Sequence, residues 1–347
     1  MHTRLIKIDP EHPDMALIDE AAQVIRAGGT VAFPTETVYG LGANGLDGHA
    51  VCKIFKAKGR PSDNPLILHI ATLNELRPLV RDLSAQADKL IRLFWPGPLT
   101  LVLPRSKQVP DEVTGGLDTV AVRMPDHIVA QLLIAKAGVP IAAPSANRSG
   151  RPSPTCAAAV WEDLHGKIDL LIDGGSGGIG VESTVLDVTK DIPVLLRPGG
   201  ITLEELRDTL GEIAFDSSLA LESAVPKAPG MKYTHYAPRA RVILIEGEQP
   251  LSPKILQTFV DAERQKGTQV GALLTEEMAS LVRADVVHTM GSARQPLSIA
   301  ARLFGALRDF DNTQVEVIFA EGISEEGIGL AIMNRLRKAA GCNVIKV

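Results

Sequence analysis

Segments of helical period and segments of strand period alternate along the whole chain, which restricts it to folds in which helices cover a largely buried sheet. Residues 14–27 (DMALIDEAAQVIRA) repeat apolar side chains at helical spacing and stop at Gly28-Gly29, where a helix can end in a left-handed residue. TVAFPT then reads as a strand. After it come a helix over 50–58, a strand over 65–70, a helix over 84–94, strands over 99–103 and 119–123, and a helix over 127–137. The pattern predicts an α/β domain with a mixed sheet, whose strand order the sequence leaves open. Thr202 followed by Glu205 has the form of a capping box opening a helix to Leu210, so the first domain is set at 1–212. Residues 213–240 contain three prolines and little periodicity, and are expected to be a linker. In 241–347 the apolar runs RVILIEG, VGALLTE and VEVIFAEG are separated by helical patterns over 254–266 and 297–310, the rhythm of a smaller Rossmann-like domain.

Length agrees with two domains, since 347 residues suffice for two sizeable cores. No apolar run approaches the roughly 20 residues of a membrane span, and MHTRLIKIDPEHPD lacks the apolar segment of a secretion signal, so a cytoplasmic protein is expected. Cys52, Cys156 and Cys342 are odd in number and far apart, which argues against a disulfide framework or a paired zinc site; they are expected to be buried thiols. A net charge of -5 excludes a general polyanion binder, so any RNA contact has to be local. With 4% aromatic residues there is no base-stacking platform.

Several polar strings stand out from this background. KIFKAKGRP puts Lys53, Lys56, Lys58 and Arg60 within eight residues without an acid. A solvated helix face is the bland reading, yet the run breaks at Gly59 and Pro61 and leads through Ser62 and Asn64 into PLILHI. Lys58 and Arg60 are thereby expected on a loop at a strand's edge, where paired cations suit a polyphosphate. APSANRSGRPSPT carries Ser145, Asn147, Arg148, Ser149, Arg151, Ser153 and Thr155, either a plain loop or a nest of donors for an anion. No GxxxxGK[ST] occurs, so a P-loop is excluded. Residues 175–180, GSGGIG, satisfy GxGxxG, but the VESTVLDV that follows alternates as a strand does, so this is read as a turn and not as a dinucleotide fingerprint. His69 lies in an apolar strand and is equally consistent with a structural role. FPTETVYGLG sets Thr35, Glu36, Thr37 and Tyr39 before two glycines, a polar rim too dense for ordinary packing. Lys227, Lys232, Arg239 and Arg241 follow one another without an acid, so the linker is either a lid over a charged ligand or a solvated spacer.

Taken in order, FPTETVYGLG, the KxR element Lys58 and Arg60, RPSDNPLILHI, AVRMP, APSANRSG with Ser145 and Asn147, ESTV, LRPG and HYAP closely resemble the YrdC-like family. Within it, SGRPSPT and the long C-terminal extension are most similar to the two-domain threonylcarbamoyl-AMP synthases. The resemblance covers nearly the whole chain, although the C-terminal part matches by rhythm more than by residues. It implies a YrdC-like twisted mixed sheet with a concave basic surface over 1–212, a linker or lid over 213–240 carrying HYAP, and a Rossmann-like domain over 241–347. It further implies synthesis of threonylcarbamoyl-AMP from L-threonine, bicarbonate or carbon dioxide and ATP with release of pyrophosphate, a nucleotidyl transfer that serves modification of tRNA next to the anticodon. By the same resemblance L-threonine meets Thr37, His69, Arg123, Ala143 and Ser183, and ATP meets Arg60, Asn64, Thr119, Ser145, Ser153, Arg197 and Tyr236. Lys58, Arg60, Ser145 and Asn147 are the implied catalytic set, Mg2+ accompanies the ATP phosphates without a residue assigned to it, and the implied partners are the machinery that transfers the product to tRNA, with a weak RNA contact. Two other readings compete: a carbamoyl-transferring YrdC-like maturation enzyme, disfavoured by the lack of CxxC pairs, and a non-catalytic double-stranded RNA binder, disfavoured by the acidic total.

Overall fold

The computed structural model describes residues 2–216, 236–341 and 343–347. Among them, one compact unit comprises 2–149, 154–178 and 182–216, and a second comprises 150–153, 179–181 and the described residues from 236 onward.

In the first unit the chain runs β1 (Arg4–Lys7), α1 (Met15–Arg26), β2 (Val31–Phe33), β3 (Gly40–Asn44), α2 (Gly48–Lys58), β4 (Ile67–His69), α3 (Ala85–Phe94), β5 (Leu99–Pro104), α4 (Asp111–Thr114), β6 (Thr119–Arg123), α5 (Ile128–Ala137), β7 (Ile141–Ala142), α6 (Ala157–Leu164), β8 (Leu170–Asp173), β9 (Thr184–Asp187), β10 (Val194–Arg197), α7 (Leu203–Leu210) and β11 (Ala214–Phe215). Capping explains the principal helix starts. Asp14 accepts from the amides of Ala16 and Leu17 at α1, Asp47 from His49 and Ala50 at α2, and Thr202 with Glu205 forms the expected capping box at α7. Ile18, Ala21, Ala22 and Ile25 make one buried stripe on α1, which packs on α5 and, with β1, β2 and β8, closes a core containing Phe33, Leu133 and Ile172. The sheet order is β1-β8-β2-β3-β7-β4-β6-β5-β9-β10-β11, with parallel and antiparallel neighbours mixed.

The second unit contains β12 (Arg241–Glu246), α8 (Pro253–Arg264), β13 (Val270–Leu274), α9 (Glu276–Ala279), β14 (Val286–Thr289), α10 (Pro296–Asp309), β15 (Val317–Glu321), α11 (Gly329–Ala340) and β16 (Val344–Lys346). Its five described strands are all parallel in the order β14-β13-β15-β12-β16. Every crossover is therefore helical or long, and the inner strands β13, β15 and β12 read as the apolar runs of a sheet buried on both faces, whereas the edge strands β14 and β16 are partly exposed. No helix among the described residues is long and apolar enough to cross a membrane.

Three expectations are corrected here. Cys52 and Cys156 are exposed thiols, because Cys52 falls on the outer side of α2 and Cys156 just before α6; Cys342 lies outside the described residues. The segment expected to be linker begins with a strand, β11, whose Ala214 pairs with Val194 of β10. Lys58 is not a loop residue but the last residue of α2, 2% exposed, and Gly59 ends the helix at φ 61. Lys53 and Lys56, on the same helix, are exposed and form the solvated face.

Candidate active site

Strand register brings the candidate residues together. β4 and β6 run parallel with His69 opposite Arg123, and β4 and β7 run antiparallel with His69 opposite Ile141. His69 and Arg123 are thus neighbours on the same sheet, both buried, at 4% and 3% exposure. The Arg123 guanidinium is used on three sides. Its Nε donates to the Gly97 carbonyl at 3.2 Å, Nη1 donates to Thr37 Oγ1 at 2.9 Å, and Nη2 lies 2.6 Å from Glu36 Oε1. That last contact is a close ion pair without hydrogen-bond geometry, and neither Glu36 oxygen has a hydrogen-bond donor. Thr35 spends its one hydroxyl proton on the Val38 carbonyl at 2.6 Å, so in the 2.9 Å contact between the two hydroxyls Thr37 donates to Thr35. The loop that displays Thr37 is thereby fixed by a directed chain of donors.

The glycine run read as a turn supports this loop. The Tyr39 hydroxyl donates to the Gly175 carbonyl at 2.5 Å, and a Cβ on Gly177 would stand 2.7 Å from the Thr37 carbonyl oxygen. Glycine is required there because backbone approaches backbone. Beyond the run, Ser183 Oγ meets Thr100 Oγ1 at 2.7 Å, while Arg197 donates through Nε to the Ser183 carbonyl at 3.0 Å and through Nη2 to Ser183 Oγ at 3.2 Å. Gly199 leaves the room: a Cβ there would lie 2.2 Å from the Thr184 amide nitrogen.

A second group gathers at the opposite ends of β4 and β6. The Lys58 ammonium donates to the Ser145 carbonyl at 2.5 Å, the Asn147 carbonyl at 2.6 Å and Asn147 Oδ1 at 3.4 Å. Ser145 Oγ donates to Asn147 Oδ1 at 2.6 Å, and Ser145 bridges Gly40 of β3. Ala143 follows β7 and donates its amide to the Ile67 carbonyl at 2.9 Å. Arg60 Nη2 donates to the carbonyls of Asn64 and Pro65, each at 3.3 Å, and Asn64 Oδ1 is buried without a hydrogen-bond partner. Thr119 opens β6, and the five-residue strand separates it from Arg123 by roughly 13 Å.

The site therefore has two ends. His69, Arg123, Thr37, Ser183 and Arg197 stand at one, and Lys58, Arg60, Asn64, Thr119, Ser145 and Asn147 at the other. Ser153, fully buried, and Tyr236 belong to the second unit. Tyr236 is 4% exposed, stacks on Phe304 with ring centroids 5.0 Å apart, and has the Arg335 guanidinium 5.8 Å from its ring centre. Its φ of 67° is the one positive value at a non-glycine residue among the described residues. A buried ring in such a conformation is a packing residue as well as a motif residue, so Tyr236→Ala is expected to lower the melting temperature of the second unit. Lys227, Lys232 and most of the basic linker lie outside the described residues.

His69 is held neutral. Burial first, and the Arg123 cation second, push its pKa down to about 3. A carbonyl can only accept, so the 3.3 Å contact of Nδ1 with the Ile141 carbonyl puts the ring proton on Nδ1 and leaves Nε2 an acceptor. Since the unfolded chain takes up a proton below pH 6.5 and folded His69 does not, stability from this group is present above pH 6.5 and falls as the pH drops towards 3. The His69→Gln variant is expected to show a flatter stability curve between pH 5 and 6.5 in urea titrations, by an amount rising from about 0.7 to about 1.4 kcal/mol per pH unit as the pH falls. Parallel curves for the two proteins would contradict the assignment.

Known proteins similar to this chain cover nearly its whole length. A family model for Sua5, YciO and YrdC proteins, described as telomere recombination, matches residues 23–199, and the model for the threonylcarbamoyl-AMP synthase C-terminal domain matches 201–341. A threonylcarbamoyl-AMP synthase of Pyrococcus abyssi is 53% identical over 94% of this chain and 95% of its own length, and one of Bacillus subtilis is 52% identical over 95% and 94%. The chain belongs to the threonylcarbamoyl-AMP synthase family. The Schizosaccharomyces pombe synthase is 42% identical over 98% of the chain and 91% of its own. The crystal structure of P. abyssi Sua5 complexed with L-threonine superposes with a TM-score of 0.95 at 52% identity, covering 99% of this chain and all of that one. Against these synthases, the readings as a carbamoyl-transferring enzyme or a non-catalytic RNA binder lose their ground.

Two groups that contact the candidate residues were not assigned from sequence. Glu36 was visible in the polar rim, but nothing in the string shows that it pairs with Arg123. Thr100 sits inside the apolar run LTLVLP, where its hydroxyl carries no signal until β5 and β9 are laid side by side.

Proposed function

We propose that the chain makes threonylcarbamoyl-AMP from L-threonine, bicarbonate or carbon dioxide, and ATP, releasing pyrophosphate, for the threonylcarbamoyladenosine modification of tRNA in the cytoplasm. The observation that carries this reading is the Arg123 fork beside neutral His69, fixed by Thr37. Arg123 suits the threonine carboxylate, with Glu36 as the group already paired to it, and Nε2 of His69 is an acceptor for a threonine hydroxyl or amine proton. Ser183 completes that end and is hydrogen-bonded to Arg197, which the resemblance assigns to ATP, while Ala143, assigned to threonine, lies on the chain between the two ends. At the other end Arg60, Asn64, Thr119 and Ser145 are offered to ATP, with the partnerless Asn64 oxygen a ready acceptor. Ser153 and Tyr236, also assigned to ATP by the resemblance, lie in the second unit.

The chemistry asks for positioning more than for a protein nucleophile. The threonine amine adds to carbon dioxide, losing a proton to give a carbamate; a carbamate oxygen then attacks the α-phosphorus and pyrophosphate leaves. Both partners are anionic, so fixed cations and donors lower the barrier by holding them together. Among the described residues no group of three or more His, Cys, Asp or Glu side chains could hold a metal ion. Mg2+ would be carried by phosphate oxygens and water, neutralising charge on the triphosphate, with no residue of this chain assigned to it.

Pyrophosphate release with ATP and Mg2+ is expected only when threonine and bicarbonate are both supplied, and release indifferent to threonine would count against the function. Arg60→Ala is expected to raise the ATP concentration for half-maximal release by about tenfold to a hundredfold, the worth of one or two charge-assisted hydrogen bonds, and to leave the threonine requirement within a fewfold. Equal changes for both substrates would remove the division of the site into two ends. The consumer of the product is the tRNA-transferring machinery, and any direct RNA contact is weak.

A further inference from the structure

The second unit carries a cavity of its own. It measures about 700 Å3 and lies wholly within residues 249–326. Its place follows from topology. The connection leaving β13 passes through α9 to β14 on one side, whereas the connection leaving β15 passes through α11 to β16 on the other. β13 and β15 are adjacent, so their loops diverge and a crevice opens beyond their carboxyl ends. That is where open parallel sheets take ligands. Thr275, directly after β13, and Glu321, the last residue of β15, both line the cavity.

Its lining indicates what it accepts. Leu251, Met278, Leu281, Pro296 and Ile323 supply an apolar wall, and the volume is within the roughly 300–1,000 Å3 usual for small-molecule sites. Glu321 is 5% exposed and accepts from the Thr275 amide at 2.7 Å and the Thr275 hydroxyl at 3.2 Å, with no cation paired to it among the described residues. A buried carboxylate without a counter-ion is costly, and burial holds Glu321 above the usual carboxylate range. Glu277 and Glu326 also line the cavity, against one cation, Arg294. Glu277 is kept ionised, its pKa near 2, by the Ser292 hydroxyl and the Ala293 amide. A phosphate or carboxylate entering here would meet three acidic side chains; an ammonium or amidinium would give Glu321 the partner it lacks.

We propose that this cavity binds a small organic amine or other organic cation with an apolar body, its charged group seated on Glu321. The site is separate from the synthase site and does not depend on the assignments made there. Three probes of one shape and different charge test it on the full chain by titration calorimetry: tryptamine, tryptophol and indole-3-propionate. Tryptamine is expected to bind at least about tenfold more tightly than the other two, as one charge-assisted hydrogen bond would give. Glu321→Gln is expected to erase that preference. Leu281→Trp, at an exposed rim position and therefore harmless to folding, is expected to fill the mouth and weaken tryptamine by about tenfold or more. Threonine-dependent pyrophosphate release should persist in both variants. Equal affinity for the three probes, a preference for the anionic one, or tryptamine affinity unchanged in Leu281→Trp would each overturn the proposal. The Leu281 variant decides the matter even if Glu321→Gln fails to fold.

Discussion

Arg123→Ala is expected to raise the threonine concentration for half-maximal pyrophosphate release by about a hundredfold or more, the cost of truncating a buried fork that meets a carboxylate. Threonine brings a carboxylate into a buried environment, and Arg123 is the cation held in place there by Gly97, Thr37 and Glu36. The same substitution leaves the largely buried Glu36 carboxylate without its counter-ion, so stability should fall too, by about 3–5 kcal/mol. The double variant Arg123→Ala, Glu36→Gln separates the two effects. It should regain much of the melting temperature, because no unpaired charge remains, and none of the threonine use. Recovery of both together would mean that Arg123 serves folding alone.

Lys58→Met is expected to lower kcat by about a hundredfold to a thousandfold while leaving the threonine requirement within a fewfold, since positioning of a reacting group is worth that much. The ammonium is buried and donates to two carbonyls and one amide oxygen of the Ser145–Asn147 loop. Methionine keeps the aliphatic stem and removes every one of those donors, so the loop loses its hold on the end of α2 and the ATP end loses its shape. Lys58→Arg should not rescue activity, because a planar guanidinium cannot direct donors around the converging oxygens as a compact ammonium does. Rescue by arginine would show that charge alone, supplied to the phosphates, is what Lys58 contributes.

Much of the architecture was legible in the chain because the helices announce themselves by both stripe and cap. α1, α2, α3 and α5 lie where periodicity set them and α7 where its capping box did, and Asp14, Asp47, Ser84 and Thr202 each cap through the side chain. Strands without a long apolar run escaped notice. β3 is GLGAN, whose two glycines carry no strand signal, and β14 is half exposed, so neither alternation nor hydrophobicity marks it. β11 is two residues held by its neighbour β10 and has no local signature at all. The cysteines failed for a different reason. A small thiol is compatible with either side of a helix, and only the helix orientation put Cys52 outward.

The sequence by itself determined which chemical groups are present and in what strings: the KxR and SxN elements, the Thr-Glu-Thr rim, and a glycine run that precedes a strand. Those are properties of neighbours along the chain, and local sterics and hydrogen bonding govern them. Only the tertiary structure decided which groups meet. The β4–β6 register sets His69 against Arg123, 54 positions apart, and one residue of slip would turn one of the two to the other face. It likewise buried Lys58 as a clamp while leaving Lys53 and Lys56 in solvent, paired Arg197 with Ser183, and opened a cavity where the β13 and β15 connections part. Pairing between distant strands is fixed by the burial of whole faces, a sum over many residues that no single motif contains.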